Sequence, residues 1–312
     1  WLDSREPYLQ TEVYRFYDGP IDNETPDDGI DDGPEGSINA WPLDEIWIDY
    51  VDGSPNAGYV NGTGPIDAQT LDGLNGMEGE AHVATGYHAI EFLLWGQDFS
   101  DDATGGARPY TDYVTDGTGT AANQDRRGLY LTTSGDLLVD QLKGVHSAWT
   151  PNASYRAAFE ADTDAAIEKI LTGMIILAGF ETGGERLQNA LDTGNRDDEH
   201  SCFSDNTHRD MIQDVQGILN VWDGSYGAIS GVGIYDVVVA ADAPLAAKVD
   251  ARILESLNLA NALQIPFEGE IAAGNAAGNA RVEALVISLL ALEDDLKEVF
   301  DLFGMSVEIP TE

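Results

Sequence analysis

Three groups of side chains in this sequence have the types and the spacing to do chemistry. The first is Gly86-Tyr87-His88-Ala89-Ile90-Glu91. Residues three apart share a helix face, so the His88 imidazole and the Glu91 carboxylate can converge on one cation, as His and Glu do in metal-carrying helical bundles. The same spacing suits a buried pair in which Glu91 orients His88 by a hydrogen bond, and HxxE alone leaves both readings open. The H-E-x-x-H pattern of zinc peptidases is absent, since Ala89 follows His88 and Phe92 stands four residues on. The second group runs from Asp197 to His208 and holds two His, Cys202 and four carboxylates in twelve residues. Asp205 or Asn206 can cap a following helix. His200, Ser201, Asp205 and His208 are candidates for further ligands, with satisfied core groups as the alternative, and Cys202 reads as a small buried hydrophobe. The third group is Glu181-Thr182-Gly183-Gly184-Glu185-Arg186, where paired glycines permit a sharp turn and Arg186 suits a carboxylate or an anionic ligand, or else a structural salt bridge. Imidazole and carboxylate donors together suit iron, zinc and manganese alike. His82 and His146 read as structural.

These groups need elements to hold them. Val83, Tyr87, Ile90 and Leu94 place one apolar face on a helix over residues 80–95, ending at Gly96. Further helices are expected over 43–51, 135–149, 154–180, 207–222, 244–263 and 276–303. The last is the clearest, with Val282, Leu285, Val286, Leu289, Leu292, Leu296, Val299 and Phe300 in a broad stripe. Leu2, Tyr8, Leu9, Val13 and Phe16 recur at near-helical spacing, and no initiator Met or charged leader precedes Trp1, so the sequence reads as truncated at its start, by processing or by disorder. Residues 97–126 and 181–206 read as loops, and Gly233–Ala240 is the one serious strand candidate, with helix as the alternative. The expected fold is all-α, with long ordered loops of the length that function tends to require.

Charge narrows the field of partners. The 312 residues carry 56 Asp and Glu against 15 Lys and Arg, a formal net charge of −41. A field of that sign repels phosphate backbones and excludes nucleic acid as a partner. No apolar run is long enough to span a bilayer. One cysteine excludes an internal disulfide framework and multi-cysteine metal sites. The 43% hydrophobic content supplies a core, so the charge does not mean disorder. Its spread, with no Lys or Arg between Phe16 and Ala107, fits a solvated surface adapted to high salt, where short Debye lengths relieve self-repulsion. Eight acids crowd Asp18–Glu35 (Asp18, Asp22, Glu24, Asp27, Asp28, Asp31, Asp32, Glu35); such a loop suits Ca²⁺, although its spacing is not that of an EF-hand.

Several segments, taken in order, resemble the imelysin-like family, also known as peptidase family M75. They are Arg5–Tyr8, Thr11–Asp22, Ile38–Glu45, Gly86–Asp98, Arg108–Tyr113, Gly184–Arg186 and Glu199–Asp210. The GxHxxE motif of the family falls on Gly86, His88 and Glu91, and the EHSCFSDNTH block is similar to the IrpA-like, EfeO-related iron-uptake branch. The resemblance implies two similar helical-bundle domains, taken here as 1–150 carrying GxHxxE and 151–312 carrying the second block. It implies a site between them with His88 and Glu91 as metal ligands, His200, Asp205 or His208 completing the shell, and Glu12, Glu185 and Arg186 as orienting groups. It further implies a periplasmic or outer-surface lipoprotein that binds iron, an iron chelate or haem and works with other envelope iron-transport proteins. The alternatives are a metallopeptidase with Glu12 or Glu185 as general base, and a structural surface-assembly module without a ligand.

Overall fold

In chain order the helices of the computed structural model are α1 (Leu2–Leu9), α2 (Glu35–Ile38), α3 (Glu45–Ile48), α4 (Ala68–Asp72), α5 (Gly86–Trp95), α6 (Gln124–Ala148), α7 (Ser154–Ala161), α8 (Thr163–Ile176), a π-helical segment (Leu177–Gln188), α9 (Asn189–Thr193), α10 (Thr207–Asp223), α11 (Ile234–Ala241), α12 (Ala243–Ala260), α13 (Phe267–Ile271) and α14 (Ala276–Leu302). The structure describes residues 1–26 and 32–305. Among them the sheet content is a two-stranded hairpin pairing Ser225–Tyr226 with Ile229–Ser230. The fold is all-α, as expected. Asp27, Asp28 and Asp31 of the acidic loop lie outside the described residues. No described helix is long and apolar enough to cross a membrane.

The chain divides into two units, neither of them one continuous stretch. The first comprises Trp1, Pro20–Arg156 and His200–Ser204; the second comprises Leu2–Gly19, Ala157–Glu199 and Asp205 onward. In the first, α5 is the centre. Every residue from Gly86 to Leu93 is buried, so this helix is apolar nearly all round and not the two-faced helix expected, and Leu94 is exposed. It packs on α6, with Ile48, Val60, Leu71, Tyr130 and Phe203 completing the core. The expected helix began six residues early, because His82 to Thr85 are held in an irregular turn: Ala84 and Thr85 amides donate to Asn75 Oδ1, at 2.7 and 3.2 Å.

Gly86 opens α5 at φ +86°, and a Cβ there would lie 2.6 Å from the Ile38 carbonyl oxygen. Both the left-handed backbone and the close approach require glycine. Gly86→Ala is expected to cost about 1–3 kcal/mol, read as a lowered urea midpoint; a midpoint equal to wild type would show that Ile38 simply yields.

The first unit also buries a charge. Asp49 Oδ2 accepts from Arg127 Nε at 2.6 Å and Arg108 Nη1 at 2.8 Å, while Oδ1 accepts from Arg127 Nη2 at 2.9 Å. Arg127 also donates to the Asp112 and Ala122 carbonyls, both at 3.0 Å, tying α6 to the loop before it.

In the second unit, α14 lies against α12, α8 and the π segment, and α10 lies against α12 and α1. All eight residues of the expected α14 stripe are buried. Trp222, Val249, Leu292 and Phe300 sit in one of its two apolar clusters. Four expectations fail here or at its borders. The helix expected over 154–180 is broken at Asp162, whose carboxylate caps α8 through the Ala165 amide. Its helical path then runs on to Thr193 through the stretch expected to be a loop. The helix expected from residue 135 starts at Gln124. Gly233–Ala240 is not a strand: Asp236 accepts from the Gly233 amide at 3.1 Å, and Ile234 and Val238, four apart, are buried together in the Trp222 cluster.

Candidate functional site

His88 and Glu91 sit one turn apart on α5, each with no exposed surface. His88 Nδ1 and Glu91 Oε2 are 3.0 Å apart, so the two side chains of the HxxE pattern meet. The other oxygen, Oε1, accepts from the Ser204 amide at 2.9 Å and from its hydroxyl at 2.7 Å. Those two donors fix the carboxylate plane, and the carboxylate in turn fixes the imidazole. Around His88 stand the Trp41 ring at 4.9 Å and the His200 ring at 4.7 Å between centroids. Phe203 packs on Phe92 at 5.2 Å and on Trp41 at 6.0 Å, which anchors the short segment that carries Ser204. Gly105 makes room for that segment: at φ +69° a Cβ there would lie 2.6 Å from the Phe203 carbonyl oxygen, and the Gly106 amide donates to the same oxygen at 2.8 Å.

A donor set of this kind fits a transition metal. When the proton of the imidazole rests on Nδ1 and points at Glu91, Nε2 carries a lone pair, the arrangement by which a carboxylate steers a metal-bound histidine. His88 Nε2 is fully buried. The two histidines offer soft-enough nitrogen donors for iron or zinc, with Glu91 held as orienting group or anionic ligand.

Of the residues read from the sequence, His88, Glu91, His200 and Ser201 share the first unit, and Glu12, Glu185, Arg186, Asp205 and His208 belong to the second. Ser201 is buried beside His200 in the chain. Cys202 is buried in the α5 cluster, as expected of a small hydrophobe. His82 stacks on Trp47 at 4.3 Å and His146 is exposed. Asn206 precedes α10, but its side chain makes no cap bond; it donates to Asp210 Oδ1 at 3.1 Å.

The second unit gathers Glu12 and Arg186 into an ion cluster that sequence reasoning half saw. Arg186, on the π segment, donates to Glu12 Oε2 at 2.7 Å, to Asp214 Oδ2 at 2.8 Å and to Glu181 Oε1 at 2.8 Å. Arg15 adds a second cation at 3.2 Å from Glu12, and Thr182 donates to Asp214 at 3.2 Å. Burial pushes the Glu12 carboxyl up, but the guanidiniums of Arg15 and Arg186 outweigh it and hold the group at about 2. Asp214 goes the other way. Burial pushes it up to about 7 against Arg186, with Glu12 adding repulsion. Asp214 was missed because nothing local marks it, while Glu181 stood in the third group without an assigned role; the π turn brings Thr182 and Arg186 to the same carboxylate of α10. Glu185 accepts from Asn189 at 3.0 Å and takes no part in the cluster's bonds just given. His208 is half-buried, and burial, then Arg209, holds its imidazole below the ordinary value.

Comparison with known proteins assigns this all-helical chain to a family. The imelysin profile, peptidase family M75, matches residues 1–296, and the chain belongs to that family. Among solved structures it is similar to one described as an iron-regulated protein A precursor from Parabacteroides distasonis, with a TM-score of 0.70 and 17% identity over 97% of this chain and 82% of that one. No curated protein matches.

Proposed function

We propose that this imelysin-family chain is a binding protein for iron or an iron-containing ligand, such as a chelate or haem, and that His88 is the residue that takes hold of it. The observation that carries the reading is the relay Ser204 to Glu91 to His88: two donors lock the carboxylate, and the carboxylate locks a buried imidazole with a second imidazole, His200, beside it. A pair serving only the core gains nothing from a histidine neighbour, whereas a metal gains a donor. The structural neighbour described as an iron-regulated precursor supports iron over zinc and an exported, envelope-facing chain over a cytoplasmic one. When bound, the ion supplies charge for an anionic chelate; His88 supplies a neutral nitrogen, and Glu91 keeps its tautomer.

The test is metal analysis and iron titration of native protein beside His88→Ala and Glu91→Gln. His88→Ala is expected to abolish stoichiometric binding, and Glu91→Gln to weaken it by about 10- to 100-fold. Metal content unchanged in His88→Ala would end the assignment. The rival metallopeptidase reading predicts cleavage of an unfolded protein that Glu91→Gln stops.

A further inference from the structure

Every Lys and Arg of the first unit already has a partner. Arg108 and Arg127 are bound to Asp49. Arg126 donates to the carbonyls of Tyr59, Val60 and Gly64. Lys143 pairs with Asp140 on α6 at 3.1 Å, and Arg156 donates to the Trp149 carbonyl at 3.2 Å. Pro20–Arg156 contains no other Lys or Arg, and His200–Ser204 adds none. Arg and Lys are the side chains that hold carboxylate ligands, so a citrate-type chelate or the propionates of a haem would have to take one of these cations from its present partner.

The rings around His88 are spaced for an ion and not for a plane. The centroids of His88 and His200 are 4.7 Å apart. An ion about 2.0–2.1 Å from a nitrogen of each imidazole lies about 3.2 Å from each ring centre, and ligands about 90–110° apart then set the two centroids about 4.5–5.2 Å apart. The observed spacing falls inside that span. A planar group held between two rings needs about 7–8 Å, twice the carbon contact distance. Trp41 closes the group, with its ring 4.9 Å from His88, 6.5 Å from His200 and 6.0 Å from Phe203. His88, His200 and Phe203 are buried, whereas Trp41 is half-buried. All four rings belong to the first unit.

We propose that this site takes a bare divalent transition-metal ion, not a chelate or haem, and that Trp41 is the residue that keeps the larger forms out. The inference rests on the proposed function and narrows its ligand to one class. The indole, packed on His88 and partly exposed, is the wall between the imidazoles and solvent; an ion passes it and a porphyrin does not. Iron must then leave its chelate before His88 receives it. The net charge of −41 acts in the same sense, drawing free cations and repelling anionic complexes.

The experiment titrates Fe²⁺ under anaerobic conditions, ferric citrate carrying labelled citrate, and haemin into the metal-free chain, in about 1 M KCl to screen diffuse binding to the acidic surface. One saturable Fe²⁺ site is expected in the wild type, with quenching of tryptophan emission. Intact ferric citrate and haemin are expected to bind at least about 100-fold more weakly, with no citrate retained and no Soret shift. Trp41→Phe is expected to keep the Fe²⁺ site and lose most of the quenching, a change that a merely structural tryptophan would not produce. Citrate retained with the iron, or a Soret shift that His88→Ala removes, would overturn the inference and leave the proposed function standing. Quenching equal in Trp41→Phe and wild type would overturn the role of Trp41. Fe²⁺ binding unchanged in His88→Ala, or no binding of any of the three, would overturn the proposed function itself. The comparison of ligands is made on the wild type, so it does not depend on a variant folding.

Discussion

At neutral pH, Arg186→Met should lose about 3–5 kcal/mol of stability, a large share of what holds a domain together, because it strands buried carboxylates that share its guanidinium. Glu12 and Asp214 are 1% and 0% exposed, and Arg186 bonds to both. The loss should depend on pH. Asp214 sits at about 7 in the folded protein against an ordinary 3.8, so its contribution is complete below the ordinary value and is lost as pH rises towards 7. Glu12, held at about 2 against 4.5, does the opposite: its contribution is present above 4.5 and is lost as pH falls towards 2. Between 3.8 and about 7 the wild-type contribution of Asp214 falls with rising pH at up to about 1.4 kcal/mol per pH unit. In Arg186→Met both carboxyls lose the cation that favours ionisation, so protonation relieves them and the deficit should shrink at about pH 5 relative to about pH 8. Urea midpoints at the two pH values measure this. Equal deficits at both would mean that the cluster is solvated and the argument wrong.

Asp49→Ala should be as costly, about 3–5 kcal/mol, and should differ in kind. It removes the carboxylate between Arg127 and Arg108, whose side chains are 0% and 2% exposed. A guanidinium cannot shed its proton within the working range, so no change of pH relieves the stranded cations. The deficit should stay flat from about pH 5 to about pH 8, with the earliest loss of hydrogen-exchange protection in α6 near Arg127. A deficit that vanished at either end would show that another acid takes over, with Asp112 the nearest to Arg108 at 3.7 Å.

The sequence made most of the helices legible because their apolar stripes repeat at 3.6 residues and end in glycine or asparagine. α10 and α14 match their expected limits to within a residue. It failed where tertiary contacts override period: at α5, which is buried on every side, and at α11, where the run Val237-Val238-Val239 looks like a strand but is capped as a helix. The pairing of His88 with Glu91 was readable, since both lie on one turn. Ser204 was not, although it donates twice to Glu91, because 113 residues separate them and a serine carries no local signal of its target. Asp214 was hidden for the same reason, and Glu12 was placed with Arg186 only through family resemblance.

The chain visits the first unit three times: at Trp1, through Pro20–Arg156, and again at His200–Ser204. Phe203 of that last visit fills the same core as Phe92, and Ser204 holds Glu91. A gene fragment encoding residues 20–156 would therefore make a protein with a hole in its centre and a loose glutamate. Such a molecule resists being cut, shuffled or borrowed in pieces, and its two halves must be inherited as one.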